Sequence, residues 1–154
     1  INMGQSPPST SYNDSGDGMP FYQGKSDFGK MFPTPTKWCT EPKKIASKND
    51  ILISVRAPVG QVNICQEESC IGRGLASIKT IVGDYLYLFY VLKAKEKEIE
   101  EKGTGTTFKS INAQTLNDLL IPIPPLNEQK RIVEKIENAF TYIDKLESQL
   151  IIPK

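Results

Sequence analysis

Two consecutive prolines, Pro124 and Pro125, stand directly before a run in which Ile132, Ile136, Ala139, Ile143, Leu146 and Leu150 recur at alternating spacings of four and three. Proline lacks a backbone N–H and fixes its own φ, so a helix does not continue through such a pair. The spacing beyond it is an a/d heptad seam: Ile136, Ile143 and Leu150 at a, Ile132, Ala139 and Leu146 at d, with polar Gln129 as the first a residue. A helix from Asn127 to Ile152 would be roughly 39 Å long at about 1.5 Å per residue. A rod with one apolar stripe, reached through a proline hinge, leaves the globular part and requires a partner helix. The sequence therefore divides into a globular unit, residues 1–125, and a helical unit, residues 126–154.

The globular unit reads as α+β, with a mixed or antiparallel sheet, short helices and the long coiled-coil helix after it. Of the 154 residues, 38% are hydrophobic, enough for one ordinary core. From Met3 to Trp38 the chain is dense in Gly, Pro, Ser and Asp and reads mostly as loop, with a short strand at Pro20–Gln23. Ile51–Arg56 and Gln61–Cys65 are β-branched runs around Ala57-Pro58-Val59-Gly60, the pattern of a hairpin. A third run, Leu75–Thr80, follows Gly72-Arg73-Gly74, where glycines on both sides let the backbone bend and present the arginine. Asp84 suits the N-cap of a helix from Tyr85 to Lys102 closed by Gly103, and Asn112 the N-cap of a short helix to about Asn117. Leu119–Ile123 reads as an edge strand because Pro122 interrupts it.

Several chemistries are set aside. The chain has no histidine, the side chain that most often serves as general base or metal ligand near neutral pH. Cys39, Cys65 and Cys70 form neither a CxxC pair nor a zinc ribbon, and read as reduced thiols of a cytoplasmic protein. The longest mostly apolar run, Tyr85–Leu92, is too short to cross a bilayer, so no membrane association is expected. Gly105–Ser110 ends in Lys-Ser, but Phe108 stands where a phosphate loop needs glycine, and the segment follows a helix. Asn13–Gly18 resembles the start of a calcium loop but has Gly24 where the twelfth position needs a carboxylate. Glu-x-Lys triplets at Glu41–Lys43, Glu100–Lys102 and Glu128–Lys130 contain a proline or lie on helices, which does not suit metal-dependent cleavage from a strand. No catalytic residue, cofactor or metal site is assigned.

What remains is a set of polar and basic loops. The net charge is +1, so any attraction to nucleic acid must be local. Between Phe21 and Lys48 six lysines stand against Asp27 and Glu41, a surplus of four positive charges. Hydroxyls and lysines position phosphates, and arginines read guanine edges. The candidate DNA contacts are Ser6, Ser9, Thr10, Lys25, Lys30, Lys37, Arg56, Arg73, Thr104, Thr106, Thr107, Lys109 and Ser110. The lysines are expected to hold all sequences alike and Arg73 to set a preference at one position. The competing reading is a noncatalytic scaffold that recruits proteins through the heptad helix.

Four blocks resemble the specificity subunit of type I restriction-modification systems, covering one target recognition domain and one helical spacer. They are Gly4-Gln5-Ser6-Pro7-Pro8; Asn49–Gly60; Gly103-Thr104-Gly105-Thr106-Thr107 with Ser110-Ile111; and Ile121–Val133, whose Ile-Pro-x-Pro-Pro strand followed by Glu-Gln-x-x-Ile is the most specific. They fall in the family's order along nearly the whole chain. Asn49 replaces the glycine usual before Asp50, and the N-terminal edge looks truncated: Ile1 is not an initiator Met. A full specificity subunit carries two recognition domains and two spacers, so this chain is expected to be a cut piece or a half-subunit that pairs with itself.

The resemblance implies a noncatalytic DNA-recognition module that reads one half-site of a bipartite double-stranded target. Methyl transfer and ATP-driven restriction would then belong to partner methyltransferase and restriction subunits, and the chain lacks an Asn-Pro-Pro-Tyr/Phe methyltransferase motif. Gln129, Ile132, Ile136, Ala139, Ile143, Leu146 and Leu150 are the expected subunit interface. Antiparallel pairing of two copies would hold two recognition domains about one turn of DNA apart, some 34 to 36 Å, on a spaced palindrome.

Overall fold

A computed structural model describes residues 1–150; the expected continuation of the last helix to Ile152 lies outside the described residues. Nine short strands form two sheets. They are β1 (Asn2–Met3), β2 (Tyr12–Asn13), β3 (Met19–Tyr22), β4 (Trp38–Cys39), β5 (Ile45–Ala46), β6 (Ile51–Ser54), β7 (Val62–Ile64), β8 (Ser69–Ile71) and β9 (Leu75–Ile78). One sheet has the order β1-β9-β6-β7 and is antiparallel throughout. The other has the order β2-β4-β3-β8-β5, with β3 and β8 parallel and the remaining pairs antiparallel. Four helices follow: α1 (Tyr85–Ala94), α2 (Glu96–Glu101), α3 (Ala113–Asn117) and α4 (Leu126–Leu150).

The alternation of side chains along β6 explains why all four of its residues are buried. Ile51 and Ile53 face the layer of α1, α2 and α3, where they pack with Val62, Ile64, Phe89, Leu92, Ile99 and Leu116. Leu52 points the other way and meets Tyr22, Cys65, Ile71 and Leu75 between the two sheets. A strand covered on both faces reads as a continuous apolar run, and the sequence Ile-Leu-Ile is that run. The hairpin is present, with Ile51 opposite Ile64 and Ile53 opposite Val62, and its connection carries a cis peptide bond before Pro58.

Three expectations are corrected. The helix expected from Tyr85 to Lys102 is two helices that part at Lys95, whose φ of −92° and ψ of 4° are not helical. The turn lets Ile99 enter the core against Gly60, at which φ is +91° and a Cβ would lie 2.9 Å from the Glu96 carbonyl. Leu119–Ile123 forms no strand: Pro122 lacks the N–H a ladder needs, and its carbonyl accepts from the Tyr87 hydroxyl at 2.9 Å. The third correction concerns α4, which lies against α1 and stays in contact with the globular part as far as Asp144 instead of leaving it after Pro125. Gln129 and Val133 are buried, Phe140 stacks on Tyr90 with ring centroids 6.3 Å apart, and Asp144 pairs with Lys30 at 3.6 Å.

Candidate nucleic-acid interface

Both sheets end at one groove. β3 delivers Gln23, Gly24 and then Lys25, which opens a 3-10 turn over Lys25–Asp27. β6 delivers Arg56, Ala57 and Pro58; the connection from β8 to β9 delivers Arg73; the segment after β1 delivers Ser6. The groove has a volume of about 620 Å³ and is lined by three cationic side chains and no carboxylate. Asp27, in the same turn as Lys25, is held by its own loop, where one carboxylate oxygen accepts from the backbone N–H of Gln23 at 2.7 Å and of Gly24 at 3.3 Å. A concave surface with uncompensated cations and several small polar groups is a place for a polyanion.

The groove is braced by segments remote in sequence. Gly4 N–H donates to the Leu75 carbonyl at 2.9 Å and Gln5 N–H to that of Ile71 at 3.0 Å. Ser6 Oγ accepts from the backbone N–H of Arg73 at 3.2 Å. Val55 N–H donates to the Gly74 carbonyl, Ile111 N–H to that of Val55 and Ala57 N–H to that of Lys109, at 2.9, 2.9 and 3.0 Å. Three of the four blocks singled out in the sequence thus meet around the connection 72–74. The loop from Gly103 to Ser110 is closed by reciprocal bonds between Thr104 and Ser110 at 2.9 and 3.0 Å, and Ser110 also bridges to Arg56. That loop stands beside the groove, its tip exposing Thr106, Thr107 and Phe108.

Of the expected DNA contacts, Ser6, Lys25, Arg56 and Arg73 line the groove, and Thr104, Lys109 and Ser110 belong to the adjoining loop. Ser9 and Thr10 are exposed on a 3-10 turn after Pro8. Lys37 pairs with Asp14 at 3.2 Å and Lys30 with Asp144 on α4; neither lines the groove. Gln23 does line it and was missed. A polar residue between an apolar strand and a glycine, with Asp27 four positions on to cap the turn, was the available signal.

The residues expected at a subunit interface divide. Gln129 is only 3% exposed; its Oε1 accepts from Asp84 N–H at 2.9 Å and its amide nitrogen donates to the Pro124 carbonyl at 2.9 Å, which removes it from any outer seam. Ile132 and Ile136 are half-buried. Ala139, Ile143, Leu146 and Leu150 are exposed on the distal half of α4, Leu150 at 77%. No described helix is long and apolar enough to cross a membrane.

A family model described as the type I restriction modification DNA specificity domain matches residues 1–152. The chain belongs to that family. A sequence from Methanocaldococcus jannaschii, named as the specificity subunit of a type I restriction enzyme, MjaX, is 49% identical over 139 residues, which is 89% of this chain and 33% of the relative. The crystal structure of the HsdS subunit from Thermoanaerobacter tengcongensis superimposes with a TM-score of 0.87 at 41% identity, over 98% of this chain and 37% of that one. A chain from a structure on complex assembly and conformational transition of the type I restriction-modification system gives the same TM-score at 44% identity, over 96% of this chain and 37% of that one. The chain spans about a third of the length of these relatives.

Proposed function

We propose that this chain is one DNA-reading unit of a type I specificity subunit, which seats double-stranded DNA on the groove and reads one half of a bipartite target. Residues 1–125 form the recognition domain and residues 126–154 the spacer, whose described part is α4. Chemistry is left to partners: a methyltransferase subunit and, through the assembled complex, a restriction subunit, acting on DNA in the cytoplasm. The observation that carries the reading is the groove's charge, three cations and no carboxylate in one concave surface to which the blocks of the family resemblance contribute Ser6, Arg56, Ala57 and Pro58. Lys25, Arg56 and Lys109 hold phosphates, the hydroxyls of Ser6, Thr104, Thr106, Thr107 and Ser110 fix register, and Arg73 addresses the bases. Lys30, Lys37, Ser9 and Thr10 stand outside this set.

The distal half of α4 supports the second part of the reading. Ala139, Ile143, Leu146 and Leu150 form an exposed apolar stripe, and pairing it in a coiled coil with another spacer helix would bury it. Where a second copy supplies that helix, the product is a two-fold dimer that presents two grooves to a spaced palindrome.

Salt dependence tests the groove. Binding of the chain to a duplex oligonucleotide, followed by fluorescence anisotropy, is expected to weaken as salt rises, with a log–log slope near −0.9 per phosphate neutralised, hence about −2 to −4 for the groove cations and Lys109. The double variant Lys25→Ala, Arg56→Ala is expected to flatten the slope by about 2. Absence of binding at low salt, or a slope indifferent to that variant, would overturn the assignment.

A further inference from the structure

Two side chains of the groove stand on backbone that is held from both sides. Gln23 donates its N–H to Asp27 at 2.7 Å, and its carbonyl accepts from Gly74 N–H at 3.1 Å. Arg73 donates its N–H to Ser6 Oγ at 3.2 Å, while neighbouring Gly72 donates to the Tyr22 carbonyl at 2.8 Å. The glycines permit this contact. A Cβ at Gly72 would lie 3.2 Å from Gln23 Cα and from Ser6 Oγ, and a Cβ at Gly74 would run into the Gln23 carbonyl. The 72–74 connection is therefore pressed flat against residues 23 and 24, so that the two side chains emerge next to each other into the groove. Both residues are exposed, and among the described residues no hydrogen bond or ion pair engages the Gln23 amide or the Arg73 guanidinium.

This pairing matches the major-groove code. A guanidinium bonds guanine O6 and N7 with two parallel N–H groups, and a carboxamide bonds adenine N6 and N7 as donor and acceptor together. A locked backbone leaves only the side chains to be ordered on binding, which lowers the entropic cost of a directional contact. We infer that Gln23 and Arg73 are the base-reading pair of this chain, Gln23 for an adenine and Arg73 for a guanine at neighbouring base pairs, with Lys25 and Arg56 as the sequence-blind phosphate contacts on either side. The inference rests on the groove being the DNA surface. Ser6 is the positioning residue: its hydroxyl holds the Arg73 backbone and touches no base.

The experiment is selection of the full chain against a pool of duplex oligonucleotides with a randomised core, sequenced after several rounds, with thermal unfolding of each variant as the folding control. The wild type is expected to enrich a short motif with adenine and guanine at adjacent positions, on the same or opposite strands. Gln23→Ala should lose the adenine preference alone, and Arg73→Ala the guanine preference alone, each by about 5- to 150-fold. Gln23→Glu should move its position toward cytosine, whose exocyclic amine a carboxylate accepts. Ser6→Ala should blunt the guanine preference and Ser6→Thr restore it, while Lys25→Ala weakens all sequences with the motif unchanged. An identical motif from wild type, Gln23→Ala and Arg73→Ala, all folded, would overturn the inference and leave the groove as a DNA surface. A folded wild type that enriches nothing would overturn the DNA reading itself and the inference with it.

Discussion

At the residue scale, the best-read positions are those whose role is decided within a few residues of chain. Asp84 caps α1 by accepting from Leu86 and Tyr87 N–H at 2.8 and 3.4 Å, and Asn112 caps α3 by accepting from Thr115 N–H at 2.9 Å, both as their sequence context predicts. The three cysteines are free and buried. Gly74 is different, because what forbids a side chain there is the Gln23 carbonyl, a group 51 positions away in sequence. Gly74→Ala is therefore expected to destabilise the fold by about 1–3 kcal/mol, the usual penalty for forcing a methyl into packed backbone. Urea unfolding measures it, and a midpoint equal to wild type would show that the connection can move aside. At the exposed tip Gly16, where nothing lies within 4 Å of a Cβ, the same change meets no such neighbour, though its φ of +86° still disfavours alanine.

At the element scale, the heptad pattern correctly located α4 but did not say what its first turns touch. Gln129 joins the helix to the start of α1 through Asp84 N–H, and Gly83 lies so close that a Cβ there would be 2.9 Å from Gln129 Oε1. Gln129→Ala leaves that N–H without its partner, and about 1–3 kcal/mol of stability should be lost by the same urea measurement. A loss below about 0.5 kcal/mol would mean that water replaces the amide. The parallel neighbours β3 and β8 carry a pH dependence. Burial, and then the adjacent Cys39, push the Cys70 thiol up from 9.0 to about 11; burial, and then Cys65 and Glu67, push the Tyr22 phenol up from 10.0 to about 12. Both groups keep their protons longer when folded than when unfolded, so the native state binds more protons between the two values and stability falls as pH rises. The urea midpoint is expected to decline from pH 9 upward, with the part between pH 9 and 11 reduced in Cys70→Ala. A midpoint constant through pH 11 would contradict this. The two-residue strands β1, β2, β4 and β5 were not legible, since an alternation cannot be recognised in two residues. β8, Ser-Cys-Ile, lay hidden between turns for a similar reason.

At the scale of the whole molecule, the outstanding feature is that α4 is docked on the domain along one face as far as Asp144 while its distal apolar residues stay exposed. Ile143 is 46% exposed, Leu146 42% and Leu150 77%, on the same face of a helix whose earlier turns are covered by the domain. The chain at micromolar concentration is expected to have a dimer mass by light scattering, and Ile143→Asp with Leu146→Asp a monomer mass, with the urea midpoint of the domain little changed because neither side chain reaches the core. A monomer mass for the intact chain would refute self-pairing. A dimer that survives the double substitution would place the contact on some other surface.

Local chemistry determined much of this protein in advance: the caps, the Ile51–Ile64 hairpin, the helix start after Pro124-Pro125 and the arginine between two glycines are all written in a few adjacent residues. The tertiary structure decided what each of them faces. Arg56 and Arg73 are 17 positions apart in sequence, and Ser6 and Lys25 are farther from both, yet all four line one groove because β3, β6 and β8 end at the same edge. Gln23 joined the site, and Lys30 and Lys37 fell outside it, for the same reason. Periodicity reports which side of an element is apolar, but the partner of that side, or the loop that lies against a strand end, is chosen by contacts between remote segments whose energies no single window of sequence contains.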